Sequence, residues 1–545
     1  MLARLTSLFL VLALALGAQF ATFPDRAYFR EQWVKAPTSV EIQPVARLEE
    51  YVVGGELELS LRAYIELAMT NNPDINLQRL DVLQQENNLE AAFSPFDPNL
   101  TASFNSQRST TPTSDVLEGA DVRSDLGQTA RFIYDQTLDT GTNYSIGYVG
   151  NKSASNSQNV TFNPTIRGEL EFNVSQPLLR GRGRSVQRIP IMVAESRLRL
   201  TEEQVRERVI NLLVQAENAY WDAANARESL RVQENSLELA RAFLDLQRRH
   251  LDLGAISPLD IYQPEQQFAT AQVRVTQEQF RLQQAQDVLR RWIGADLDPD
   301  FRHVPIVLTE GIAPPSEAPT LDPEEHVARA LRLRPELRQG RHALEIDDLN
   351  IRGATNDMRP DLSINAGYSS QGRGGNFFPD RDVIGENGQV LVIPGCFPQA
   401  LDQLFQFRFP TYGFGLTLQL PLRNRRAAAD LANATIQKRR DLYSLRSEEQ
   451  GVRLDVLNAV AGVELAKAAL SQAEVARDFS QKRLDAEQRK YDLGVQEAFF
   501  VLQAQNDLVD AEAGVLAQSI AYRRSMLTLL RATGELLEAR GVVLQ

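Results

Sequence analysis

The stretch Tyr412-Gly413-Phe414-Gly415-Leu416-Thr417-Leu418-Gln419-Leu420 alternates strictly between large apolar and small or polar side chains. Successive side chains of an extended strand point to opposite faces. Tyr412, Phe414, Leu416, Leu418 and Leu420 therefore share one face, and Gly413, Gly415, Thr417 and Gln419 the other. The same pattern sets Leu170, Phe172 and Val174 against Glu169, Glu171, Asn173 and Ser175. It also sets Leu362, Ile364, Ala366 and Tyr368 against Ser363, Asn365 and Gly367. Two structures produce it: a soluble sheet packed on a core, or a transmembrane barrel with lipid outside and water inside. Periodicity alone leaves both open.

The N-terminus favours the barrel. Residues 1–5 carry Arg4, residues 8–16 are almost wholly apolar, and Gly17, Ala18 and Ala21 are small. This charged, apolar, small order is that of a secretory signal over residues 1–21, and its apolar run is too short for a membrane span. No Cys follows the run, so a lipid-anchored N-terminus is not expected. Elsewhere there is no stretch of about 20 apolar residues. An exported chain of this kind that enters a membrane does so as a closed barrel, because every backbone polar group must find a partner there.

Composition narrows the function. The 545 residues are 43% hydrophobic and 24% charged, which is the make-up of a folded chain. A net charge of −13 argues against nucleic acid as a partner. His250, His303, His326 and His342 lie at no metal-ligand spacing, and Cys396 is the single cysteine. Gly372, Gly374 and Gly375 lack the helix and lysine of a phosphate loop, and no Gly-x-Ser-x-Gly elbow occurs. The expectation is no metal, no cofactor and no catalytic constellation, hence not an enzyme.

The chain is also written twice. Asn71-Asn72-Pro73-Asp74-Ile75 is echoed by Leu333-Arg334-Pro335-Glu336-Leu337, and Asp97-Pro98-Asn99-Leu100 by Arg359-Pro360-Asp361-Leu362. Ser175-Gln176-Pro177-Leu178 returns as Gln419-Leu420-Pro421-Leu422, and Leu251-Asp252-Leu253-Gly254-Ala255 as Tyr491-Asp492-Leu493-Gly494-Val495. Trp292-Ile293-Gly294 and Ala532-Thr533-Gly534 close the two copies. The echoes keep their order at a period of roughly 240 to 260 residues. The domain map expected is a signal at 1–21, an N-terminal periplasmic extension at 22–55 and a first copy at 56–298. A Pro-rich linker at 299–323, a second copy at 324–535 and a tail at 536–545 complete it.

Each copy reads as a shorter helix, strands, then two long helices. Residues 191–257 contain no Pro, and residues 422–545 again contain none. Both are rich in Ala, Leu, Gln, Glu and Arg. Some 60 residues at about 1.5 Å each reach on the order of 90 Å, a length that only packing against other long helices supports. Gly254 and Gly494 end such helices in the left-handed conformation. Ile256, Val495, Phe499 and Phe500 beside them are apolar at what should be exposed tips, which points to a protein partner.

Taken together these residues resemble the TolC-like family of outer-membrane efflux proteins. The most specific are Ser175 to Gly181, Ala219-Tyr220-Trp221 and Val501-Leu502-Gln503-Ala504-Gln505. The resemblance implies a mixed α+β membrane protein with two internal repeats per chain. Three chains would close an outer-membrane β-barrel, continued by a long periplasmic α-helical tunnel. It implies a passive conduit in a tripartite efflux or type I secretion system, with a periplasmic adaptor and an inner-membrane pump as partners and lipid around the barrel. A self-contained porin and a periplasmic structural coiled coil are the alternatives. The adaptor would dock at Leu253, Gly254, Ala255, Leu493, Gly494 and Val495. At the tunnel gate the family carries two Asp three residues apart; here those positions are Phe500 and Gln503, and Asp260 matches Phe500 in the first copy. A doubled acidic ring is not expected, and an apolar constriction at Phe500 competes with packing between helices. A further departure is residues 128–150, where Phe132, Tyr134, Tyr144, Ile146 and Tyr148 alternate around Asp139-Thr140-Gly141. They read as an extra hairpin without a counterpart in the second copy, either extending strands above the membrane or filling an external loop.

Overall fold

A computed structural model describes residues 45–113, 121–157, 160–254, 256–312, 322–378 and 392–542. The expected signal at 1–21, most of the 22–55 extension, residues 313–321 of the linker and Ala255 lie outside the described residues. Two short strands, β1 (Val52–Val53) and β2 (Glu56–Leu59), lead into helices α1 (Leu61–Asn71) and α2 (Pro73–Ala91). Pro73 cannot donate to the preceding turn, so one helix stops and the next begins there. Four strands follow: β3 (Asn99–Pro112), β4 (Val122–Thr137), β5 (Asn143–Ser155) and β6 (Thr165–Pro177). Then come α3 (Ile189–Asp252), α4 (Tyr262–Ile293) and β7 (Ile306–Leu308). The second half runs α5 (Pro323–Leu333), α6 (Pro335–Asp357), β8 (Asp361–Gly374), α7 (Phe397–Phe405), β9 (Pro410–Gln419), α8 (Arg425–Asp492) and α9 (Ala498–Thr533).

These elements make two compact units. One, residues 87–195 with 346–438, holds a six-stranded sheet in the order β3-β4-β5-β6-β8-β9, every neighbouring pair antiparallel. Of the two readings of the hairpin at 128–150, extended strands or an external loop, the structure shows strands. The two arms of the hairpin are β4 and β5, full members of this sheet. α7 packs on β8 and β6, with Ala400 and Leu404 buried over Gly372, Gly374 and Gly168. A Cβ at Gly372 would lie 1.9 Å from the Ala400 carbonyl oxygen, so only glycine admits the helix there. The exposed Cys396 caps that helix.

The other unit, residues 45–86, 196–345 and 439–542, is helical around one small sheet. β2 pairs antiparallel with β1 and parallel with β7, setting Leu57 beside Ile306 and Leu59 beside Leu308. All four are buried with Tyr64, Leu67, Trp221, Leu289 and Ile293 in the largest core. Each such side chain, fully removed from water, stabilises by about 1.5–3 kcal/mol. Part of the stretch read as a linker therefore forms a core strand. Leu536, in the stretch read as a tail, is likewise fully buried.

Candidate functional site: an amphipathic sheet and two helix tips

Antiparallel partners share a face, so the register assigns every side chain of the sheet. One row runs Leu100, Tyr134, Ile146, Phe172, Tyr368, Tyr412 across all six strands. The adjacent row on the opposite face runs Asn99, Asp135, Ser145, Asn173, Gly367, Gly413. Ala102, Phe132, Tyr148, Leu170, Ile364, Phe414, Leu416 and Leu418 belong to the first face. Thr101, Gly147, Glu171, Ser369 and Thr411 belong to the second. Away from the patch that α7 covers, much of the apolar face is bare: Phe104, Phe132, Tyr412, Leu416 and Leu418 are all exposed, and Phe414 is 84% exposed. β3 and β9 are the edges of the sheet, and each is exposed along its whole length. A long flat edge and a bare apolar face are both hazards in water. In a closed barrel within lipid the edges are paired and the apolar face meets its own solvent.

In the helical unit, α3 and α8 end in turns with the same chemistry. The Gly254 amide donates to the Leu251 carbonyl and the Gly494 amide to that of Tyr491, both glycines at φ 71°. The Val495 amide also donates to the Lys490 carbonyl, completing a left-handed cap. Leu253 and Leu493 are 80% and 79% exposed, and Val495 is exposed beside them. The two helix ends are tied together behind the turns. Gln247 Nε2 donates to the Tyr491 hydroxyl at 2.6 Å, and Phe243 packs on the Tyr491 ring at 6.0 Å. The Phe499 and Phe500 rings meet edge to face at 5.4 Å, and Phe500 is 39% exposed. Gln503 is exposed one turn further on. Asp260 accepts from the Ser257 amide at 3.1 Å, and its carboxylate is exposed in the turn before α4.

The profile of the outer membrane efflux protein family matches residues 64–295 and again 327–535, more than half of the chain. The chain belongs to that family. TtgC, a probable efflux pump outer membrane protein of Pseudomonas putida, is 23% identical over 340 residues, 62% of this chain. The match spans 63% of TtgC's own length. The outer membrane efflux protein BepC of Brucella suis is 21% identical over 489 residues, 89% of this chain and 88% of BepC. The fold is similar to that of the Campylobacter jejuni outer membrane channel CmeC, with a TM-score of 0.61 at 14% identity, over 87% of this chain and 86% of CmeC.

This outer-membrane efflux protein also carries residues whose roles sequence reading missed. Glu217 is buried, and Arg540 donates to both its oxygens at 2.6 and 2.9 Å. Trp221 Nε1 donates to the same carboxylate at 3.2 Å, and the Arg523 guanidinium lies 4.8 Å from the Trp221 ring centroid. Burial holds the Arg523 guanidinium below its usual range. The Tyr220 hydroxyl donates to the Leu59 carbonyl at 3.1 Å, locking α3 to β2. Ala219-Tyr220-Trp221 was legible as a motif, whereas its partners at 523 and 540 lie some 300 residues away in sequence and carry no local signal. Gly168, Gly372 and Gly374 were legible only as glycines; two-residue spacing on the apolar face was the sign of a helix laid on the strand. Among the described residues no group of side chains could hold a metal ion, and no helix is long and apolar enough to cross a membrane.

Proposed function

We propose that this chain is the outer-membrane channel of a tripartite efflux pump or type I secretion system. It serves as a passive conduit, without catalysis, for drugs, small toxic molecules or proteins. The observation that carries the reading is the six-stranded sheet with one largely bare apolar face, one polar face and two unpaired edges. Such a sheet is stable only when its edges pair with those of other copies and its apolar face meets lipid. Three chains close the barrel, and the long helices of two repeats per chain continue it through the periplasm. Energy comes from an inner-membrane pump reached through a periplasmic adaptor. The adaptor docks at the exposed tips, Leu253, Gly254, Ala255, Leu493, Gly494 and Val495. Phe500 forms an apolar constriction near Gln503 and Asp260, gating by dewetting.

Deletion of the gene should sensitise cells to toxic compounds or abolish secretion, and the protein should fractionate with the outer membrane as a heat-modifiable trimer. Recovery in the soluble periplasm would sink the reading. For the gate, Phe500→Ala should raise single-channel conductance in planar bilayers, and an unchanged value would remove the constriction.

A further inference from the structure

The two halves of the chain contribute unequally to the sheet. Among the described residues the first supplies β3, β4, β5 and β6, and the second β8 and β9. The excess is the β4–β5 hairpin. It is an antiparallel pair, so its removal would leave β3 facing β6 with direction still alternating. The hairpin is thus an insertion that changes the size of the sheet and leaves its topology intact.

Three observations make it part of the wall. Its register is continuous: β3 pairs β4 from Asn99–Asp135 to Pro112–Val122, and β4 pairs β5 from Asp125–Ser155 to Thr137–Asn143. Its apolar residues Phe132, Tyr134, Ile146 and Tyr148 continue the rows of the other strands, and its polar residues Asp135 and Ser145 continue theirs. Its turn is fixed at the base of the sheet, just before α3. There Asp139 Oδ2 meets Arg184 Nε at 2.9 Å and the Gly183 amide donates to the Thr140 carbonyl at 3.0 Å. A Cβ on Gly141 would stand 2.6 Å from the Gly181 carbonyl oxygen, so this turn is seated too closely for any other residue.

We propose that the β4–β5 hairpin widens the outer-membrane pore, with β3 of one chain pairing with β9 of the next to close three copies of the six strands into an eighteen-stranded barrel. The proposal rests on the trimeric channel reading above. β3 and β9 run in opposite directions in the sheet, so a β3–β9 seam between copies is antiparallel like every other pair. With strands about 4.8 Å apart and tilted about 40°, eighteen strands span a diameter of about 36 Å. Twelve, the number without the hairpin, would span about 24 Å. A barrel of the larger size leaves a water-filled channel. Its wall facing that channel would carry Asn, Ser, Thr, Gly and charges of both signs, including Arg131, Asp135, Glu169, Glu171 and Arg373. This lining suits bulky hydrated cargo better than a narrow apolar slot would.

The test is electron cryomicroscopy of the full chain in lipid nanodiscs, counting strands around the barrel. Eighteen strands in a trimer are expected. A trimer with twelve strands and the hairpin off the wall would overturn the proposal and leave the channel reading standing. A monomer, or a protein that does not enter the disc, would overturn both. As a second arm, deletion of residues 122–155 should leave a trimer whose barrel shows twelve strands and a diameter of about 24 Å by the same imaging. A trimeric deletion variant whose barrel keeps the diameter of the full chain overturns the proposal, and if that variant fails to fold, the strand count on the full chain decides alone.

Discussion

Trp221 and Phe414 are both large apolar side chains, yet Trp221 is 1% exposed and Phe414 84%. The difference belongs to their units. The helical unit buries its aromatics within the chain, with Tyr64 and Tyr220 at 5.6 Å and Tyr220 edge-on to Trp221 at 5.4 Å. The sheet unit leaves both edges and much of its apolar face bare. The helical unit closes a core of its own, while the sheet leaves its edges and much of its apolar face without cover from its own chain. The comparison teaches that exposure in a single chain can be as purposeful as burial, when the sheet that bears it is apolar on one face only.

The largest effect is expected on the closed side. Arg540→Ala leaves the buried Glu217 carboxylate without its charge partner and should destabilise the helical unit by about 3–5 kcal/mol. Denaturant unfolding followed by Trp fluorescence would measure it, and a loss below about 1 kcal/mol would show that the pair is not holding that core. On the open side, Phe414→Arg should cost about 2–4 kcal/mol in folding into bilayers, while Thr417→Arg, on the opposite face, should cost little. Equal costs would erase the distinction between the two faces.

A smaller contrast is in the glycines. Gly494 sits at φ 71° with open space where a Cβ would go, so Gly494→Ala carries only the left-handed strain, about 1–2 kcal/mol. Gly413, in a strand and equally open, should accept Ala without loss of folding stability. The smallest effect is a pH dependence in the helical unit. Burial pushes the Glu336 carboxyl up, but hydrogen bonds and charge from Arg334 outweigh it, and the group lies below its ordinary 4.5. A depressed carboxyl contributes stability above its unfolded pKa, and that contribution is lost as pH falls through the folded value. Stability should therefore fall below pH 4.5, with a gentler slope in Glu336→Gln; identical slopes would show that the pair does not couple to folding.

Strand faces, long helices and both glycine turns were legible in the sequence because they rest on short-range period and on single conformational demands. Tyr412 to Leu420 declared its two faces without help from the rest of the chain. The place of the 128–150 hairpin was not legible, since alternation gives a strand's faces and says nothing of its neighbours. The β2–β7 pairing was hidden for a similar reason. Leu57 and Ile306 are 249 residues apart, and Ile306–Leu308 is a three-residue strand in Pro-rich surroundings. Nor did residues 536–545 signal that Arg540 would neutralise Glu217, because long-range charge pairing has no sequence period. The gate and docking residues were placed from a resemblance, and Phe500, half turned to solvent beside Phe499, is compatible with lining a constriction.

The most direct test of the central claim is site-directed spin labelling along residues 410–419 of the full chain in bilayers, in a Cys396→Ser background. Labels at 412, 414, 416 and 418 should collide with oxygen dissolved in lipid, and labels at 411, 413, 415 and 417 with a water-soluble nickel reagent. The account predicts a period of two in both accessibilities, out of phase with each other. Uniform access to the water-soluble reagent along the strand would contradict it.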